Sequence, residues 1–139
     1  MQLNEAQINM IRQFMLEKLS PYLIIIFGTA GQGNMRPDSD IDIAFLRDES
    51  DQHFGSYELF LLGQELAGRL GREVDLIDLT TVSTVFQAQI VSKGKVIYCQ
   101  DEYRRMVFTM TVLKKYAKLN EERLPIIKRI QERGSIYAK

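Results

Sequence analysis

Apolar residues recur along this chain with two different periods, and the switches between them outline a fold. Behind Asn4, with Glu5 and Gln7 placed as at a helix start, Ile8, Ile11, Phe14, Met15, Leu16 and Leu19 follow at helical spacing until Pro21 ends the run. Residues 22–27, YLIIIF, contain no charged position and lie between Pro21 and Gly28. They predict a central strand apolar on both faces. Residues 28–37 are turn-rich, and residues 41–46 form a second strand. Helical period over residues 56–70 stops near Gly71, and residues 73–79 give a third strand. Residues 81–93 read as a helix ended by Gly94, and residues 95–99 as a short fourth strand suited to a sheet edge. From Asp101 the pattern is helical through Lys118 and resumes after Asn120, with Pro125 either near the start of a last helix or kinking it. The expected class is α/β: a small mixed β-sheet flanked by helices, residues 1–100, with a C-terminal helical extension of the same domain, residues 101–139.

Composition narrows this picture in three ways. With 139 residues, 45% of them hydrophobic, the chain suits one domain with an adequate core. Eighteen basic residues balance eighteen acidic ones, so the overall positive footprint of a nucleic-acid binder is missing. The balance is uneven along the chain: residues 1–100 carry 8 Lys or Arg against 13 Asp or Glu, and residues 101–139 carry 10 against 5. Such a split marks either a contact surface or a solvated basic helix. Cys99, the sole cysteine, excludes an intrachain disulfide and a cysteine-based zinc site and fits a reducing cytoplasm. The N-terminal stretch does not read as a signal peptide, and the longest apolar stretch is strand-sized, so a cytoplasmic location is expected.

The chemistry concentrates in FGTAGQGNMRPDSDIDIAF, residues 27–45. Asp40 and Asp42 are two apart at the start of a strand, so their side chains leave one face with Cα atoms roughly 6–7 Å apart. Ile41 and Ile43 take the other face. Asp75, with Val74 and Leu76 on the reverse side of its strand, is the candidate third acid. Three carboxylates on adjacent strands suit Mg²⁺, and a pair of such ions would clamp an in-line displacement at phosphorus. Gly28, directly after a buried strand, lets backbone approach a phosphate, and Thr29 adds a hydroxyl and an N–H. Gly31 and Gly33 keep the turn open.

Two other motifs fit part of this stretch. Gly28 and Gly33 have P-loop spacing, but Asn34 and Met35 stand where Lys and Ser or Thr are required. Asp38, Asp40, Asp42 and Glu49 match positions of a calcium loop, yet Ile43 occupies its glycine position and an apolar strand follows. An Asx turn would account for Asp38 and Ser39 but not for Asp42 inside the strand. Asp78 should point away from the Asp75 face and read as a surface or turn residue. Gln32 and Arg36 are weaker phosphate candidates than solubilising residues, and Arg47, Asp48, Glu49 and Asp51 read as a solvated loop.

Gly28-Thr29, ten residues, then Asp40-Ile41-Asp42 resembles the Gly-Ser-x10-Asp-x-Asp signature of polymerase-β-like nucleotidyltransferases, with Thr in place of Ser. Together with REVDLIDL and the helical tail around EYRRMVFTMTVLKKYAKL, the chain is similar to the minimal nucleotidyltransferase (MNT) antitoxins paired with HEPN ribonuclease toxins. The resemblance implies that ATP binds with its phosphates on Gly28 and Thr29. It also implies that Asp40, Asp42 and Asp75 hold two Mg²⁺ ions, with Asp75 helping to deprotonate the acceptor. AMP would pass to a tyrosine of the HEPN toxin, silencing it, and pyrophosphate would leave. Neither a membrane nor direct nucleic-acid contact is implied. Tyr103, Arg104, Arg105, Met106 and Phe108 would pack on the core or meet the toxin. A binding-only antitoxin is the competing class, and an aminoglycoside-type transferase ranks below both, since an extra substrate domain has no room here.

Overall fold

The computed structural model describes residues 3–28, 40–48 and 54–137. Helix α1, Glu5–Lys18, is capped reciprocally. The Asn4 side chain accepts from the Gln7 backbone N–H at 2.8 Å, and the Asn4 N–H donates to Gln7 Oε1 at 2.9 Å. The helix gives way at Ser20, which takes a left-handed φ of 48°, and the chain turns through Pro21 into strand β1, Leu23–Phe27. Strand β2, Ile41–Leu46, is followed by helix α2, Ser56–Leu70, and strand β3, Val74–Asp78. Helix α3, Thr84–Lys93, leads into strand β4, Lys95–Cys99, and the chain ends in helix α4, Glu102–Tyr137.

The four strands form one mixed sheet in the order β3-β2-β1-β4. Strand β1 runs antiparallel to both neighbours, and β2 and β3 are parallel, joined by the α2 crossover. Every residue of β1 is buried, as expected of the unbroken apolar run. The alternation of side chains splits the core into two layers. Ile24, Ile26, Ile41, Ile43, Phe45, Val74 and Leu76 face one way and pack with Ile11, Phe14 and Met15 of α1 and Leu66 of α2. Leu23, Ile25, Phe27, Ala44 and Leu46 face the other way, against Phe86 and Ile90 of α3 and Phe108 of α4.

Three expectations change. The helix expected from residue 81 begins at Thr84, because Asp78 claims the intervening residues for a turn. Its Oδ1 accepts from the Thr80 N–H at 2.9 Å and from Thr80 Oγ1 at 2.7 Å, and its carbonyl accepts from Thr81. The tail does not break near Asn120: α4 is continuous and contains Pro125. A proline removes one helical N–H and crowds the preceding turn. Here the neighbours Arg123, Leu124 and Ile126 are all exposed, so water reaches the freed backbone groups. Arg47 is not a solvated loop residue. Its Nε donates to the Leu19 carbonyl at 2.6 Å and its guanidinium lies 4.7 Å from the Phe54 ring centroid, tying the end of β2 to the end of α1. Asp48, from the same stretch, pairs with Arg104 of α4 at 3.6 Å.

Candidate active site

Register brings the acids together. In the antiparallel ladder Asp42 of β2 stands opposite Phe27 of β1, and in the parallel ladder it stands opposite Asp75 of β3. Flanking residues fix their direction: Ile41 and Ile43, like Val74 and Leu76, are committed to the α1–α2 layer. Asp42 and Asp75 therefore leave the sheet on the α3 side, and Asp40, two residues before Asp42, starts from the same side at the entry to β2.

Gly28 closes the site from the β1 end. Its φ of +71° is one that L side chains avoid, and a Cβ built there would lie 2.7 Å from Asp42 Oδ2. The carboxylate of Asp42 thus occupies the space a side chain at position 28 would need. Burial, then the charge of Asp75, then that of Asp40 push the Asp42 carboxyl above its ordinary value of 3.8. Three like charges crowded on one side of a sheet are unfavourable unless a cation joins them. Among the described residues no three His, Cys, Asp or Glu side chains enclose a single ion position. Mg²⁺ commonly takes only one or two protein carboxylates and completes its shell with water and substrate phosphates, so an all-oxygen, open donor set fits that ion.

Two hollows flank the acid pair. One, of about 390 Å³, lies on the Asp42 side between Phe27, Gly28 and one face of α3, formed by Phe86, Gln89, Ile90 and Lys93. Phe27 and Phe86 meet edge to face at 5.7 Å. The glycine turn holds no lysine, and nothing local in the sequence announces that Lys93 reaches this hollow from α3. Its spacing from Phe86 and Gln89 puts all three on one helix face. The other hollow, of about 360 Å³, lies on the Asp75 side along β3. Asp78 takes the turn role expected of it. Thr29, Gln32, Arg36, Asp38, Ser39, Glu49 and Asp51 lie outside the described residues.

A four-stranded mixed sheet with an Asp-x-Asp pair at the start of one strand, a third Asp on the next and Gly28 closing the strand across from them has the layout of a nucleotidyltransferase. Residues 9–103 match the family described as polymerase beta, nucleotidyltransferase. The chain belongs to that family. It is 36% identical over 126 residues, 91% of this chain and 86% of that protein, to the protein adenylyltransferase MntA of Shewanella oneidensis. A crystal structure of a toxin–antitoxin pair with AMP-PNP superposes with a TM-score of 0.78 at 32% identity, covering 89% of this chain and 98% of the other. The MNT antitoxin in complex with the tri-AMPylated HEPN toxin of Shewanella oneidensis gives 0.75 at 28% identity, covering 93% and 99%.

Proposed function

We propose that this chain is the MNT antitoxin of a HEPN toxin and neutralises it by moving AMP from ATP onto a tyrosine of that toxin. The observation that carries the reading is the fit of Asp42 against Gly28 beside Asp75, on a chain whose relative of similar length is a protein adenylyltransferase. Asp40, Asp42 and Asp75 would hold Mg²⁺, which when bound neutralises the charge developing on the triphosphate. The protein's own residues do the rest. Gly28 admits the phosphates close to the backbone, Thr29 donates to them, and Lys93, which lines the Asp42 hollow, offsets their charge. The Asp75 carboxylate takes the proton of the tyrosine hydroxyl as its oxygen forms a bond to the α-phosphorus. The bond from that phosphorus to the bridging oxygen breaks and pyrophosphate departs with its electron pair. Positioning and charge complementarity supply most of the acceleration, as in other phosphoryl chemistry. No described helix is long and apolar enough to cross a membrane; the single cysteine fits the reducing cytoplasm in which this reading places the reaction.

Incubation with ATP labelled at the α-phosphate, Mg²⁺ and the cognate HEPN toxin should label the toxin on tyrosine, read by mass spectrometry. The double substitution Asp40→Ala, Asp42→Ala should remove that label; label that survives it would exclude the site. One observation favours a second, binding-only contribution. The outward face of α4 exposes Tyr103, Met106, Val107, Met110 and Leu113, an apolar stripe that no described element covers. If contact alone neutralises the toxin, the same double variant will still protect RNA from it at stoichiometric amounts.

A further inference from the structure

The hollow beside Asp75 has an unusual lining. Five consecutive residues, Val74 to Asp78, border it, although their side chains alternate between the two faces of the sheet. A cavity touched by both parities lies along the edge of a strand rather than over a face. Strand β3 is that edge, since the order is β3-β2-β1-β4. Its inward groups are fixed by two bonds: Glu73 O accepts from the Ile41 N–H at 2.9 Å, and the Leu79 N–H donates to Phe45 O at 3.1 Å. In a parallel ladder this parity turns residues 73, 75, 77 and 79 toward β2 and residues 74, 76 and 78 outward. Helix α2 closes on the Val74 carbonyl through Gly63, where an added Cβ would come within 3.1 Å, and the Asp78 carbonyl serves Thr81. The N–H and C=O of Leu76 and the N–H of Asp78 are left facing the hollow, with no partner among the described residues.

The walls are as specific as the floor. Ser56, Leu59 and Phe60 from the first turns of α2 form one side, and Thr81 and Val82 form the other. Tyr57, Phe60 and Leu61 stand 71%, 59% and 48% exposed at the start of α2, a cluster of large apolar side chains in solvent where Phe60 enters the groove. Unpaired edge groups between apolar walls are what an added strand of another polypeptide requires. The groove opens on Asp75, while the nucleotide hollow opens on its ladder partner Asp42 from the other side.

We propose that the open edge of β3, walled by Phe60 and by Thr81–Val82, is the acceptor groove. The toxin segment bearing the acceptor tyrosine docks there as an extended strand, pairs with Leu76 and Asp78, and delivers its hydroxyl to Asp75. This assignment rests on the AMP-transfer reading above. The donor enters from the α3 side and the acceptor from the strand edge, so the two substrates approach the acid pair from opposite flanks, as an in-line displacement demands.

The test is designed to read docking apart from chemistry. A photo-cross-linking amino acid placed at Phe60 is irradiated in the presence of the purified cognate toxin, and the joined peptide is mapped. A cross-link into the segment that holds the acceptor tyrosine supports the groove. A cross-link confined to other toxin segments, or none, overturns it. In parallel, Phe60→Glu is expected to raise the toxin KM at least about ten-fold, the effect of losing one apolar anchor, with the affinity for AMP-PNP unchanged. An unaltered toxin KM in a folded Phe60→Glu protein also overturns the proposal. Failure of the unsubstituted protein to label toxin would count against AMP transfer itself, and the cross-link map would still decide the groove.

Discussion

The start of β2 and the outer face of α4 depart from ordinary burial in opposite directions. At β2 a carboxylate is half-buried beside two others of the same sign, and burial together with those charges raises its pKa. On α4, Tyr103, Met106 and Met110 stand 70%, 51% and 64% exposed along one stripe of the helix. Each arrangement is unfavourable for the chain alone, and each becomes favourable once something of complementary character arrives. For the acids that is a cation and a polyphosphate; for the stripe it is another protein surface. The contrast separates chemistry from assembly: one region is specified atom by atom, the other by a periodic pattern only.

Substitutions should break the two regions independently. Gly28→Ala should have the largest effect. The left-handed φ strains any L residue by roughly 1–2 kcal/mol, and the new Cβ must displace the Asp42 carboxylate 2.7 Å away. Transfer of AMP should fall about 10²-fold or more, the scale of an ångström's misplacement in an active site, and urea unfolding should show the smaller stability loss. Toxin binding measured by calorimetry should remain. Met110→Glu should do the reverse, weakening the toxin complex about ten-fold, or about 1.4 kcal/mol, while the melting temperature of the free chain stays the same. The smallest effect belongs to Asp42→Asn without metal. A carboxyl whose folded-state pKa stands above its unfolded one ionises more readily in the unfolded chain, so its charge at neutral pH disfavours the fold. Metal-free stability gained from Asp42 therefore grows as pH falls through the raised value and is complete below the ordinary 3.8. Asp42→Asn should raise the metal-free melting temperature slightly at pH 7, and the difference from the unsubstituted chain should vanish in acid.

Much of this was legible in the chain before any coordinates. The apolar run of β1, bounded by Pro21 and Gly28, pointed to a central strand, and the alternation of Asp42 between Ile41 and Ile43 carried its direction. What stayed hidden depended on contacts between distant segments. The pairing of Asp42 with Asp75 is a register, and periodicity fixes a face but not a neighbour. Lys93 comes to the site only because α3 crosses the sheet there. Arg47 looked solvated because nothing local announces that the Leu19 carbonyl and the Phe54 ring will be within its reach. The capture of Thr80 and Thr81 by Asp78 shortened a helix whose sequence would have supported an earlier start. The continuity of α4 through Pro125 overrode a local breaker that reads as an end in most settings.

The sharp stop of α2 carries a consequence for how this scaffold can vary. Gly71, at φ 70°, ends the helix, and only Arg72 and Glu73 intervene before β3 begins. Those two positions are the whole tether between the left-handed stop of the helix and the first hydrogen bond of the strand, from the Ile41 N–H to the Glu73 carbonyl. A residue gained or lost there would leave Val74 and Leu76 in their layer, since burial sets the register, and the strain would fall instead on the helix stop and on the Glu73 carbonyl that accepts from the Ile41 N–H. Shortening this tether should therefore cost more than extending it, because two residues leave little spare span between the helix stop and the strand.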